Sequence, residues 1–225
     1  MATTTARQLS RLRKPQNMSL DTWQRALRRQ FGREQPFTLK NTGTERVFSD
    51  FHVHNPQSAS TYRVAIRGAE PGSNYCNCAD FATNTLGTCK HIEFVLGKLE
   101  RQRGARAALQ RGFEPPHSEI VLQYGAKRVV TFRPGTECPR ALATIAATYF
   151  GTDRTLRAQA FTTFESFLAK AATFQHDLRC YDDVLSFVAE VRDRKRREKR
   201  IGAMFPRGVR DSGFRALLKG ELYDY

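Results

Sequence analysis

No run in this chain approaches the roughly 18 consecutive apolar residues that a membrane-spanning helix needs, so the sequence offers no transmembrane segment. Acidic residues are scarce: 22 Asp and Glu stand against 37 Lys and Arg, a formal net charge of +15 with a pI near 10.1. Such a balance argues against a polycationic partner. It favours a polyanion, nucleic acid foremost, with an acidic protein surface as the competing partner. Cysteine is scarce too, five in 225 residues. That count, with no apolar h-region between Met1 and Lys14, argues against a disulfide-dense secreted domain. The expected setting is intracellular and reducing: cytoplasmic, and nucleoid-associated if the source is bacterial.

Catalytic signatures are missing as well. There is no G-x-x-x-x-G-K-[ST] to cradle phosphates, no G-x-S-x-G elbow and no H-E-x-x-H. The expectation is therefore a chain that is not itself an enzyme and takes no small-molecule substrate. Glu165 with Lys170, and Asp182 with Asp183, are the nearest approaches to a reactive charged pair. Surface and helix-cap roles suit them better. Cys138, ahead of Pro139 and without a nearby histidine, and Cys180 read as packing residues.

What the chain does contain is a concentration of soft ligands. Cys76, Cys78, Cys89 and His91 form C-x-C-x(10)-C-x-H in an otherwise polar stretch. Three thiolates and an imidazole are the donors a tetrahedral zinc ion takes. Because the chain supplies all four, no position is left open for water or substrate, and the ion is expected to be structural. Cys76 and Cys78 are too close for an easy mutual disulfide, and clustered cysteines in a reducing compartment read as metal ligands. His52 and His54 lie on one side of a candidate strand and read as surface residues, since the tetrahedron is already complete.

The surrounding pattern is ββα. Thr61 to Arg67 alternates as a strand, Gly68 to Asn74 has turn chemistry, and Tyr75 to Cys78 is a second short strand. After Cys89 the apolar residues Ile92, Val95, Leu96 and Leu99 fall at helical spacing. Cys89 and His91 then sit at the helix start, where the dipole favours thiolate. The paired C-x-C and C-x-H, with Phe81 soon after the second cysteine and Cys89-Lys90-His91 leading into a helix, resembles the SWIM-type zinc finger. The resemblance covers roughly residues 60 to 103. It implies a structural Zn(2+) and binding of nucleic acid or of protein partners.

Around this centre the chain divides by composition. Residues 1–34 form a basic arm, with Arg7, Arg11, Arg13 and Lys14 ahead of any acidic residue, and a short helix from Trp23 to Phe31. Trp23, Leu27 and Phe31 share one face of that helix, with Arg25, Arg28 and Arg29 largely off it, so Trp23 reads as an anchor. Residues 35–112 hold a β-hairpin, from Arg46 to His54 and back from Tyr62, together with the finger. Residues 113–118 are a proline-bearing linker. Residues 119–225 form a strand pair, Glu119 to Arg133, and three helices, at Pro139 to Phe150, about Thr155 to Phe174, and Asp182 to Arg200. The expected fold class is α+β: a small ββα zinc finger on an N-terminal hairpin region, then a strand pair and a mainly helical module.

The third of those helices ends in seven cations, Arg192, Arg194, Lys195, Arg196, Arg197, Lys199 and Arg200, against Asp193 and Glu198. These are candidate phosphate contacts, and equally a solvated helix end whose charges suit the dipole. The C-terminal module, closing on Leu217-Leu-Lys-Gly-Glu-Leu-Tyr-Asp-Tyr225, is similar to the region between a SWIM finger and the motor of bacterial Swi/Snf-like DNA-dependent ATPases. That resemblance implies an accessory part of a helicase-like system whose motor is absent from this chain. The functional expectation is a zinc-binding module for nucleic acid, DNA in the first place, with little sequence preference. The alternative is a zinc-stabilised protein-interaction adaptor.

Overall fold

The computed structural model describes residues 8–204, with side chains to residue 200. The chain is α+β and divides into two compact units. One comprises the described residues up to Pro115 together with Leu122–Val129. The other comprises Pro116–Val121 and the described residues from Val130 onward. Arg7 and the Leu217–Tyr225 segment lie outside the described residues. Among those described, no helix is long and apolar enough to cross a membrane.

The first unit opens with α1 (Leu20–Glu34). It runs further in both directions than the Trp23–Phe31 stripe implies. Ser19 caps it by accepting the Thr22 N–H at 3.2 Å, Asp21 lies in the first turn and Arg33 in the last, each charge suiting its end of the dipole. Trp23, Leu27 and Phe31 of the apolar stripe are each partly buried, and Gly32 is the buried residue of the helix. The Trp23 indole N–H donates to the Ser10 carbonyl of the arm at 3.1 Å.

Four antiparallel strands follow in the order β1-β2-β3-β4: β1 (Thr38–Asn41), β2 (Asp50–Asn55), β3 (Ser60–Ala65) and β4 (Tyr75–Cys76). Phe51 faces Val64 and Val53 faces Tyr62 across β2–β3, so strand alternation buries Phe51, Val53 and Val64 and leaves His52 exposed. The strand expected from Arg46 begins only at Asp50. Thr42 and Gly43 both donate to the Asp50 carbonyl, at 2.9 and 3.2 Å, which ends the β1–β2 pairing there and leaves Arg46–Ser49 irregular. The edge strand β1 has no apolar alternation to announce it and exists through its pairing with β2.

Three helices complete the unit: α2 (Ala79–Thr83), α3 (Lys90–Leu99) and α4 (Ala105–Arg111). Their buried residues Phe81, Ile92, Val95, Leu99 and Leu109 join Phe51, Val53, Val64 and Ile66 in one core, to which Cys76, Cys78 and Cys89 also belong. Helix α1 packs on α3 at Gly32, where a Cβ would come within 2.5 Å of the Lys90 carbonyl oxygen. Only glycine permits that approach. Gly72, at φ +86, donates to the Gly87 carbonyl at 2.8 Å, and its own carbonyl accepts the Tyr124 N–H at 2.9 Å.

The second sheet has three strands in the order β6-β5-β7, from β5 (Ser118–Gln123), β6 (Val129–Arg133) and β7 (Leu178–Cys180). Strand β7 pairs parallel to β5, with Ser118 opposite Leu178 and Ile120 opposite Cys180. The helices are α5 (Arg140–Tyr149), α6 (Phe164–Ala171) and α7 (Asp182–Met204). The helix expected over Thr155–Phe174 is broken: Ala158–Thr162 is a 3-10 turn, and α6 begins at Phe164. Thr162 and Thr163 bond back to the Gln159 and Ala160 carbonyls, which competes with regular helix. The apolar stripe survives the break, with Leu156, Ala160, Phe164, Phe167 and Ala171 all buried.

Candidate metal centre

The four soft donors are placed by a strand end, two helix N-caps and a first helical turn. Cys76 ends β4, where pairing with Val64 fixes its backbone. Cys78 is the N-cap of α2, its Sγ accepting the Phe81 N–H at 3.4 Å. Cys89 is the N-cap of α3, and His91 lies in that helix's first turn. The ligand atoms of all four lie within 4.8 Å of one another, and all four residues are buried. Cys76 Sγ is 3.7 Å from His91 Nδ1. A tetrahedron with metal–sulfur bonds of about 2.3 Å and metal–nitrogen bonds of about 2.0 Å has a sulfur–nitrogen edge of about 3.5 Å.

The electrostatics of the four donors point the same way. Hydrogen bonds from Cys76 and then Cys89 hold the Cys78 thiol far below the ordinary cysteine range. Hydrogen bonding to Cys78 and Cys89 pushes Cys76 far above it, and burial pushes Cys89 up. Crowded sulfurs cannot all carry charge without a cation beside them. A divalent cation lets all three ionise. The set is consistent with a single structural Zn(2+). Four protein donors complete the tetrahedron and leave no coordination position for chemistry.

Aromatic packing holds the histidine. The Tyr62 ring stacks on His91 at 4.1 Å between centroids, and Phe37 lies 5.2 Å away. His91 Nε2 is buried without a hydrogen-bond partner. Ring orientation therefore comes from stacking rather than from the carboxylate or carbonyl that usually backs a metal-bound imidazole.

Arginines of α1 hold the segment that carries Cys89. Arg25 Nε donates to the Leu86 carbonyl at 2.9 Å, Arg28 pairs with Asp80 at 2.6 Å, and Arg29 pairs with the buried Glu93 at 3.0 Å. Glu93 also accepts the Thr88 hydroxyl at 2.9 Å, and its hydrogen bond raises the Arg29 pKa. Sequence periodicity sets these arginines apart from the apolar face but does not signal this clamp. The pairs Arg28/Asp80 and Arg29/Glu93 are more than 50 residues apart, beyond any local pattern.

Neither strand histidine joins the centre: His52 is exposed, and His54 Nδ1 lies 3.2 Å from the Thr61 hydroxyl. The seven cations at the end of the last helix are on α7 but do not act alike. Arg192 pairs with Glu165, Arg194 lies 3.9 Å from Glu190, and Arg196 lies 3.5 Å from Asp193. Lys195 donates to the Ala158 carbonyl and lies over the Phe161 ring at 5.4 Å. Arg197, Lys199 and Arg200 are exposed, without an ion-pair partner among the described residues. No protein-family model matches the chain, and neither a curated protein nor a solved structure matches it.

Proposed function

We propose that this chain is a zinc-organised nucleic-acid-binding module, DNA in the first place, that reads little sequence. The observation that carries the reading is the net charge of +15 on a chain whose soft donors are buried and fully committed to one another. Its recognition chemistry is then its surface cations, which neutralise phosphates and release counterions. Arg197, Lys199 and Arg200 are available for such contacts, whereas Arg192 and Lys195 are engaged within their own unit. On this reading the finger is SWIM-type, with β3, β4 and α3 as its ββα elements, and α2 inserted between the ligand pairs. An accessory role beside a Swi/Snf-like ATPase motor belongs to the same reading. It is tested by asking whether added chain raises the DNA-dependent ATP hydrolysis of such a motor.

The experiment is a fluorescence-anisotropy titration of the zinc-loaded protein against single-stranded DNA, duplex DNA and RNA at several salt concentrations. The expected result is binding that weakens steeply with salt and is reduced by a zinc chelator. Absence of binding near physiological salt sinks the reading. It turns the assignment to an adaptor whose positive surface meets an acidic protein.

A further inference from the structure

The first unit carries a cleft of about 260 Å³ lined by Arg11, Leu27, Arg28, Phe31, Asp80 and Lys90. Three cations face one carboxylate there, and that carboxylate is already paired with Arg28. The Arg11 guanidinium and the Lys90 ammonium each lie 5.4 Å from the centroid of the Phe31 ring. Arg11 is tied to Glu34 at 2.6 Å, but Lys90 has no carboxylate partner among the described residues. A partly buried aromatic ring thus lies beside two cations, the unneutralised Lys90 and the Glu34-paired Arg11, and next to the aliphatic side chain of Leu27.

We infer that this cleft holds one nucleotide of a single strand, with the base against Phe31 and Leu27 and the phosphate on Lys90 and Arg11. The inference rests on the nucleic-acid reading above and names the surface and the strand state. An apolar floor between cations is the arrangement that binds unpaired bases, because every base has a face that can stack and every nucleotide brings a phosphate. A duplex offers the cleft only base edges and backbone. The volume is just below that of a drug-sized ligand pocket, which suits one ring-sized group. The cleft is also tied to the metal. Lys90 lies between the ligands Cys89 and His91, and the close approach of Gly32 to the Lys90 carbonyl sets the spacing of the two walls. Zinc at the centre fixes the position of Lys90 against Phe31, so the metal organises the cleft without contacting the nucleic acid.

The test uses the full zinc-loaded chain and a short single-stranded oligonucleotide carrying 5-iodouracil, cross-linked by light and mapped by peptide mass spectrometry. Cross-links are expected on the peptide that contains Phe31. In parallel, Phe31→Leu keeps an apolar floor without the aromatic face and should weaken single-strand binding about tenfold while affecting duplex binding little. Lys90→Gln and Arg11→Gln should each reduce the salt slope by about one phosphate contact. Arg106→Gln removes the same charge from an exposed site on α4 and is the control. Arg11 lies outside the metal loop, and the cross-link map needs no variant, so loss of zinc from Lys90→Gln leaves the other readouts decisive. Single-strand binding with no cross-link near Phe31 and no effect of the cleft variants overturns the cleft but leaves the nucleic-acid reading standing. No binding of any nucleic acid by the native chain overturns both.

Discussion

His91 shows how much of this metal centre is decided by individual side chains. Its Nδ1 faces Cys76 Sγ while Tyr62 and Phe37 fix the ring plane, and no hydrogen bond backs the other nitrogen. His91→Ala and Cys76→Ser each remove one of four donors from a closed tetrahedron. Both are expected to lose stoichiometric zinc, measured by atomic emission on the purified proteins. Retention of one equivalent in both would refute the ligand set. Tyr62→Ala should keep zinc but weaken it, about 10- to 100-fold in competition with a chelator, the usual cost of losing an orienting neighbour. Cys180 is a separate case. Burial, then the charges of Asp183 and Asp182, push its thiol up to about 12. Between the ordinary value near 9 and about 12 the unfolded chain has lost a proton that the folded chain keeps, so stability falls as pH rises through that window. Cys180→Ala is expected to flatten that alkaline loss in thermal melts. An unchanged slope would mean that another group carries it.

Between elements, the α1–α3 crossing is the contact that positions the metal helix. A Cβ at Gly32 would meet the Lys90 carbonyl at 2.5 Å and the Phe94 nitrogen at 3.0 Å, both backbone atoms that cannot swing aside. Gly32→Ala is therefore expected to destabilise by about 1–3 kcal/mol despite the better helix propensity of alanine, read from denaturant unfolding. A gain in stability would show that the two helices are free to separate. The Arg29–Glu93 pair acts at the same crossing. Glu93 is buried, so Glu93→Leu strands the Thr88 hydroxyl and the exposed end of Arg29, and a loss of about 1–3 kcal/mol is expected. On α7 the structure separates cations that are alike in sequence. Reversing Arg197, Lys199 and Arg200 to glutamate is expected to weaken nucleic-acid binding with zinc content unchanged. Reversing Arg192 instead removes the Glu165 pair and is expected to lower stability. Equal effects of the two sets on binding would make the whole run a diffuse charge rather than a contact surface.

For the molecule as a whole, the metal donors are not an appendage. Cys76, Cys78 and Cys89 share one core with Phe51, Val53, Val64, Ile92 and Leu99. A small ββα unit cannot bury enough apolar surface by itself, and here the sheet β1–β4 and helix α4 add residues to the same core. Unfolding on zinc removal is therefore expected to extend beyond residues 60–103, through the first unit from α1 to α4. Hydrogen exchange with and without chelator should show lost protection in β2, β3 and α3 and retained protection in α5 and α6. Loss confined to residues 60–103 would mean that the remaining core stands without the ion.

The sequence by itself determined the donor set, the helix after it and the α+β class. Soft ligands at short spacing, and apolar residues at a 3.6 or 2 period, are local signals that need no knowledge of the rest of the chain. Only the tertiary structure decided the rest. Strand β1 and strand β7 are short and carry no strong pattern, and they exist because neighbouring strands offer pairing. The break before α6 falls at Thr163, whose backbone leaves helical geometry at φ −112, ψ 13, where the apolar stripe alone reads straight through. The arginine clamp, the Gly32 crossing and the Phe31 cleft all join residues more than 50 positions apart. No local spacing encodes such contacts, because they arise only when the chain has closed around its core.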